Sequence, residues 1–210
     1  MLDYLVQAEL ALFTNEVSMS DPLVSFHTQN KEVPFLLNRA HPGIDQYLSW
    51  AESGAYSAML FDGSLLQATY QISDGLVVGH RLAYIPCPYD VDLDLLAEGA
   101  PIVDVIDLYL DDMPVLRSPI RFDYDPDAAG IGHPATHMTV NGTSCRIACI
   151  APLHIHRFAD FVFRNFYAEF WLVHQSFFEA ASSRHIGTKS LTSSESRIPH
   201  FSWDLNAAPV

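Results

Sequence analysis

Residues 121–167 read RFDYDPDAAGIGHPATHMTVNGTSCRIACIAPLHIHRFADFVFRNFY, and they carry a strand, a hairpin and a helix in succession. The strand expected over 115–125 alternates: Arg117, Arg121, Asp123 and Asp125 fall on one face, Ile120, Phe122 and Tyr124 on the other. Asn141-Gly142 is the strongest short hairpin signal, because both central residues of a type I′ turn need positive φ. Counting back from a two-residue loop sets Met138 opposite Cys145 and His137 opposite Arg146, with Thr139 and Ser144 on the same polar face. A helix over 155–180 then carries Phe158, Phe161, Val162, Tyr167 and Phe170 toward the sheet.

Upstream, 56–61, 64–73 and 76–86 form a meander joined at Asp62-Gly63 and Asp74-Gly75. Two-residue turns predict Leu60 opposite Leu65, Ile72 opposite Val77 and Thr69 opposite His80. His80 sits among Val78, Leu82 and Tyr84 and reads as a core histidine with its own partner. Residues 2–14 have helical spacing, 17–42 read as irregular, and 43–53 form a short helix. Residues 91–112 fit a helix through Ile102, Val105, Ile106 and Tyr109, and a strand almost as well. The Ser-rich tail carries a short strand over 198–203. The expected architecture is α+β: an antiparallel sheet of at least five strands with a long C-terminal helix packed on one face. Residues 1–210 form one globular domain, with a helical and irregular segment over 1–50, a core over 51–180 and a tail over 181–210.

The formal net charge of −14 argues against non-specific binding to DNA, which needs a basic surface. No apolar run approaches a membrane span. The start of the chain has no basic n-region, so a signal peptide is not expected. Three cysteines without metal spacing fit a reduced, cytoplasmic chain. Eleven acidic residues lie between Asp90 and Asp127, while Lys31 and Lys189 are the only lysines beside nine arginines. Arginine suits fixed bidentate pairing. The arginines therefore either pair with aspartates inside the fold or build an anion site in an acidic body.

Asp123-x-Asp125-x-Asp127 starts like a calcium loop, but the sixth position lacks Gly and Pro134 stands where the bidentate Glu belongs. A hard-metal site using two of these carboxylates stays open. His133 and His137 have the spacing of helical metal ligands, yet no Glu follows the first His, and Cys145 and Cys149 share a strand face with Ile147. No metal or cofactor is assigned. The stronger constellation is metal-free: His133, His137, Arg146 and Arg121 supply an acid, a base and phosphate-holding guanidinium groups. The same residues also fit a structural knot, with Asp123 or Asp125 paired to Arg146. Serine and cysteine hydrolase signatures, a Walker loop and GxGxxG are absent.

Over about residues 50–170 the chain resembles the bacterial domain of unknown function 2290 family. The resemblance rests on Phe61-Asp-Gly-Ser64, Gln67, Tyr70, His80-Arg81-Leu82, Pro86-x-Pro88, Arg121-Phe-Asp-Tyr-Asp-Pro126, His133-Pro-x-x-His137, Cys145-Arg146-Ile147 and Phe166-Tyr167. Ala148 stands where that pattern usually has Pro. The resemblance implies a product of bacterial mobile or defence islands and carries no activity. Two functions are therefore expected as alternatives. One is an effector acting on RNA or a nucleotide through His133, His137, Arg146 and Arg121. The other is a non-catalytic subunit or regulator of a multi-protein anti-phage complex. In the second, the acidic 90–127 surface, including Asp123 and Asp125, meets a basic protein encoded by a neighbouring gene.

Overall fold

The computed structural model describes residues 1–20, 23–25, 43–140, 145–180 and 186–197. The Asn141-Gly142 turn, His27, His41 and the strand expected over 198–203 lie outside these residues.

The described elements run α1 (Leu2–Gln7), β1 (Ala11–Thr14), β2 (Ser18–Ser20), β3 (Leu23–Ser25), α2 (Ile44–Ser53), β4 (Ala58–Leu60), β5 (Leu65–Ser73) and β6 (Leu76–Ile85). There follow α3 (Leu93–Ala97), α4 (Ile102–Asp107), β7 (Ile120–Tyr124), β8 (Thr136–Val140), β9 (Arg146–Ala148), α5 (Ile155–Phe166), α6 (Ala168–Val173) and α7 (Gln175–Glu179). The architecture is α+β. Seven strands pair antiparallel in the order β1-β4-β5-β6-β7-β8-β9, and the β2–β3 hairpin adds to the sheet through β5.

Several local expectations are corrected. The helix expected over 2–14 stops after Gln7: Glu9 takes a positive φ, and residues 11–14 pair as a strand with β4. Residues 17–42 were expected to be irregular, yet Ser18–Ser20 and Leu23–Ser25 form a hairpin. Residues 91–112 give two short helices rather than one. Asp92 caps the first by accepting from the Asp94 backbone N–H, and Pro101 precedes the second. The strand over 115–125 narrows to Ile120–Tyr124. The long helix expected over 155–180 breaks into α5, α6 and α7. The first break falls at Tyr167, which leaves helical geometry at φ −137° and ψ 51°. There its hydroxyl donates to Asp62 Oδ2 at 2.8 Å and meets the Tyr84 hydroxyl at 3.0 Å. The second break is at His174, whose Nδ1 meets the Tyr4 hydroxyl at 2.9 Å.

The turns set which side chains share a face. At Asp74-Gly75 both φ angles are positive, and Ile72 pairs with Val77 as the turn type requires. One residue further a bulge inserts Val78, so Tyr70, not Thr69, stands opposite His80. Thr69 now pairs with Arg81. Gly79 allows the close approach, since a Cβ there would lie 3.1 Å from Gln71 Oε1 and 3.3 Å from the Tyr124 carbonyl. At the first turn the loop is three residues long, with Gly63 at φ +80°, so Met59 pairs with Leu65 and the expected Leu60–Leu65 register is off by one.

One sheet face carries Leu60, Leu66, Ala68, Leu82, Tyr84, Phe122 and Met138 against Phe158, Ala159, Val162 and Phe163 of α5. Complete burial of each large apolar side chain contributes about 1.5–3 kcal/mol before entropy is charged against it. The other face is divided. At one end Met59, Leu65, Ala83 and Ile85 form a second core with Tyr47, Trp50, Leu96, Ile102, Val105 and Ile106. At the other end the face is polar.

His80 lies in the apolar layer, buried, as expected for a core histidine. Its Nε2 accepts the Leu153 backbone N–H at 2.8 Å, which requires the neutral ring. Burial pushes its pKa down from 6.5 to about 4. Native His80 therefore resists a proton that the unfolded chain takes up near pH 6.5. Its contribution is complete above that pH and is lost as pH falls toward about 4. Denaturant unfolding should show a loss of about 3 kcal/mol across this window at about 1.4 kcal/mol per pH unit, and His80→Gln should flatten the slope. An unchanged pH profile in the variant would assign the dependence to another group.

Candidate functional site

The polar end of the divided face is assembled by five neighbouring strands. Alternation on β7 places Arg121 and Asp123 on it, β8 contributes His137 and Thr139, and β9 contributes Arg146. The bulge beside Gly79 turns Arg81 of β6 onto the same face, directly opposite Asp123. Thr69 follows from β5.

Asp123 is the junction. Its Oδ1 accepts from Arg81 Nε at 2.9 Å and its Oδ2 from Arg121 Nε at 2.6 Å. Burial raises the carboxyl's pKa, but Arg121 and Arg81 outweigh it and hold Asp123 below the ordinary carboxylate value. Burial likewise depresses the Arg121 pKa, against the pull of Asp123.

His137 stands opposite Asp123 on β8 and is 2 % exposed. Its Nδ1 donates to the Pro134 carbonyl at 2.8 Å, so the neutral ring carries its free lone pair on Nε2, 3.6 Å from Asp123 Oδ2. Burial depresses the His137 pKa, the Pro134 bond and Asp123 oppose this, and His133 and Arg146 add to it. The ring is thus neutral at pH 7. His133 is half-buried on the loop before β8, its ring centroid 4.8 Å from that of His137.

The expected register is corrected here. His137 pairs with Ala148, and Thr139 pairs with Arg146. The pairing is displaced by two residues, equivalent to a four-residue connection where two were assumed. An even displacement preserves the face, so His137 and Arg146 still share it, as diagonal rather than direct neighbours. Thr139 stands between Arg121 on β7 and Arg146 on β9.

The site residues expected from sequence separate into two groups. His137, Arg121 and Asp123 are buried together, and His133 and Arg146 sit half-buried at their margin. Asp125 is elsewhere: it is exposed beyond the end of β7, and its Oδ1 accepts from the Ala128 backbone N–H. Arg117 also lies off the strand, bonding the Cys87 carbonyl and pairing with Asp90. Among the described residues, no three His, Cys, Asp or Glu side chains are placed to hold a metal ion.

Sequence reasoning did not assign Arg81 to the site, since its face depends on the bulge. The one signal was Gly79 inside a strand pattern, which marks bulges and close backbone approaches. Nor did it assign His154 a role; its Nδ1 caps α5 by accepting from the His156 backbone N–H at 3.0 Å.

The fold and site define an α+β domain with an ionic, histidine-bearing face built into a mixed core. Residues 7–203 match the family described as "Uncharacterized conserved protein (DUF2290)", and the chain belongs to that family. No curated protein and no solved structure matches the chain. No helix among the described residues is long and apolar enough to cross a membrane.

Asp123 holds two cations in a largely buried site, so its loss should be felt first in stability. Asp123→Asn should destabilise the protein by about 3 kcal/mol at pH 7, the low end for a broken buried pair because the Arg81 side chain is partly solvated. The depressed carboxyl pKa makes this contribution complete above the unfolded value of about 3.9 and lost as pH falls through the native one. Urea titrations of both proteins should therefore show a larger difference at pH 7 than at pH 3, the difference shrinking as pH falls below the unfolded carboxyl value.

Proposed function

We propose that the protein acts on RNA or a nucleotide by metal-independent acid–base chemistry on this polar face. The observation that carries the reading is the state of His137. A carbonyl bond fixes its tautomer, burial keeps it neutral, and its Nε2, 3.6 Å from Asp123 Oδ2, lies on the face that carries Arg121 and Arg146. In this reading His137 takes the proton of the attacking hydroxyl or water. Asp123, 3.6 Å away, stabilises the imidazolium that results. Arg146 and Arg121 hold the phosphate, and His133, at the margin, returns a proton to the leaving oxygen.

Activity on labelled RNA and on nucleotides tests this. His137→Ala should lower the rate by ~10²–10⁴ with the melting temperature retained. Arg146→Lys should also fail, because a point charge does not replace a planar fork. The depressed His137 pKa sets the sign of the pH dependence: activity should persist below pH 6.5 and fall only as the ring protonates. A His137→Ala protein that melts like wild type and keeps full activity would end the catalytic reading.

A second reading, a subunit that docks on a basic protein partner in an anti-phage complex, is favoured by the segment after α4. Met113 is 90 % exposed and Leu116 fully exposed, although the Val115 N–H donates to the Pro88 carbonyl and Arg117 is paired to Asp90. The tethers stop these apolar side chains from folding back, and exposed Asp104, Asp107, Asp111 and Asp112 precede them in sequence. Such a combination suits an apolar groove with a basic rim. Met113→Ser with Leu116→Ser should abolish salt-sensitive copurification with a basic product of a neighbouring gene, at unchanged melting temperature. Undiminished copurification would exclude this segment as the contact.

A further inference from the structure

We infer that the ligand group seated on the polar face is a single terminal phosphate monoester, from a mononucleotide or the end of an RNA, and not an internal phosphodiester. The inference rests on the reading of this face as a phosphate site and names what that site admits.

Four groups on the face lack partners among the described residues. Thr139 Oγ1 belongs to a residue 5 % exposed and has no hydrogen-bond partner among the described residues, and the same holds for the buried Oγ1 of Thr69 on β5. His133 Nδ1 is buried and equally without one among the described residues. Arg146 makes no ion pair among the described residues, while the neighbouring Arg81 and Arg121 both bond Asp123. A buried hydroxyl without a partner is costly, and most such groups in folded proteins are satisfied. A hydroxyl donor, an imidazole nitrogen and a guanidinium fork are together the set that a phosphate's oxygens take up.

Their arrangement is fixed by the sheet. Arg121, Thr139 and Arg146 are successive cross-strand partners on β7, β8 and β9. Adjacent strands lie about 4.8 Å apart, so the three form a row about 10 Å long with the threonine at its centre. A phosphate that entered from the Arg146 margin and reached Thr139 would meet a guanidinium on either side. Asp123 is the carboxylate on this face, and both its oxygens are already bonded to arginines. Repulsion between it and a bound phosphate is thereby reduced.

Burial selects the end of a chain. Arg121, His137 and Thr139 are nearly inaccessible, whereas Arg146 and His133 are half-buried. Arg146 lies on β9, the last strand on the main path of the sheet, so the accessible margin is at that end. An internal phosphodiester carries nucleotides on both sides and needs a groove open at two ends. A terminal phosphate needs one opening. Charge points the same way: with a formal net charge of −14 the body repels a polyanion along its length, but a single phosphate meets a local row of arginines.

Calorimetric titration of the full chain distinguishes the alternatives. The probes are inorganic phosphate, 5′- and 3′-mononucleotides, and one short RNA prepared with a 5′-phosphate, with a 3′-phosphate, or with hydroxyls at both ends. Phosphate and the end-phosphorylated ligands should bind; the RNA with two hydroxyl ends should bind at least tenfold more weakly. The two phosphorylated ends, compared with the mononucleotides, identify the source of the monoester. Thr139→Val removes the hydroxyl at nearly constant volume and should weaken phosphate binding about tenfold without lowering the melting temperature. Equal binding of the hydroxyl-ended RNA, no binding of any phosphate by folded wild-type protein, or full affinity in Thr139→Val would each overturn the inference. Phosphate binding without turnover leaves it standing and removes the catalytic reading. His137-dependent cleavage of hydroxyl-ended RNA does the reverse.

Discussion

The Asp123 carboxylate, bonded on one oxygen to Arg81 and on the other to Arg121, is the interaction on which the polar half of the sheet depends. Two guanidinium groups on adjacent strands of a largely buried face repel one another and pay desolvation. The shared carboxylate compensates both, and its depressed pKa records how strongly it is held as an anion. The same carboxylate faces His137 across the next strand pair, so one residue couples β6, β7 and β8 through charge as well as through the backbone ladder.

That coupling explains how an antiparallel sheet can carry apolar packing and ionic chemistry on a single face. Toward α2, α3 and α4 the face is closed by Trp50, Ile102 and Ile106. Toward β9 it changes to Arg, Asp, His and Thr. The opposite face is apolar against α5 apart from Thr136, bonded to Ser190, and His80, which burial keeps neutral and whose Nε2 accepts the Leu153 N–H while its Nδ1 has no partner among the described residues. A rigid apolar layer behind a polar one fixes side-chain directions, which is the preorganisation that both a phosphate site and an acid–base pair require.

Two elements show how far local signals reach. Asp74-Gly75 formed its turn as the dipeptide requires, yet the bulge at Val78 undid the register one step later. A bulge is invisible to alternation counting, since one extra residue looks like a change of face. The Tyr167 break is of the same kind. An aromatic run at helical spacing reads as one helix, but the hydroxyl of Tyr167 reaches Asp62 and Tyr84, partners 105 and 83 residues away in the chain. Bonds of that range are tertiary facts, and they outweigh the propensity of a few residues to stay helical.

Local chemistry in the sequence was enough to determine the α+β class, the meander and its positive-φ turn, and, strand by strand, the shared face of Arg121 with Asp123 and of His137 with Arg146. Period-two alternation and turn-residue chemistry operate within a few residues, and strand parity survives an even displacement of register. The tertiary structure alone decided that Thr139, not His137, pairs with Arg146, that Arg81 shares Asp123, and that Asp125 turns away to cap a loop. Loop length, bulge position and ion-pair geometry depend on the simultaneous packing of distant strands, and no local pattern in the chain encodes that sum.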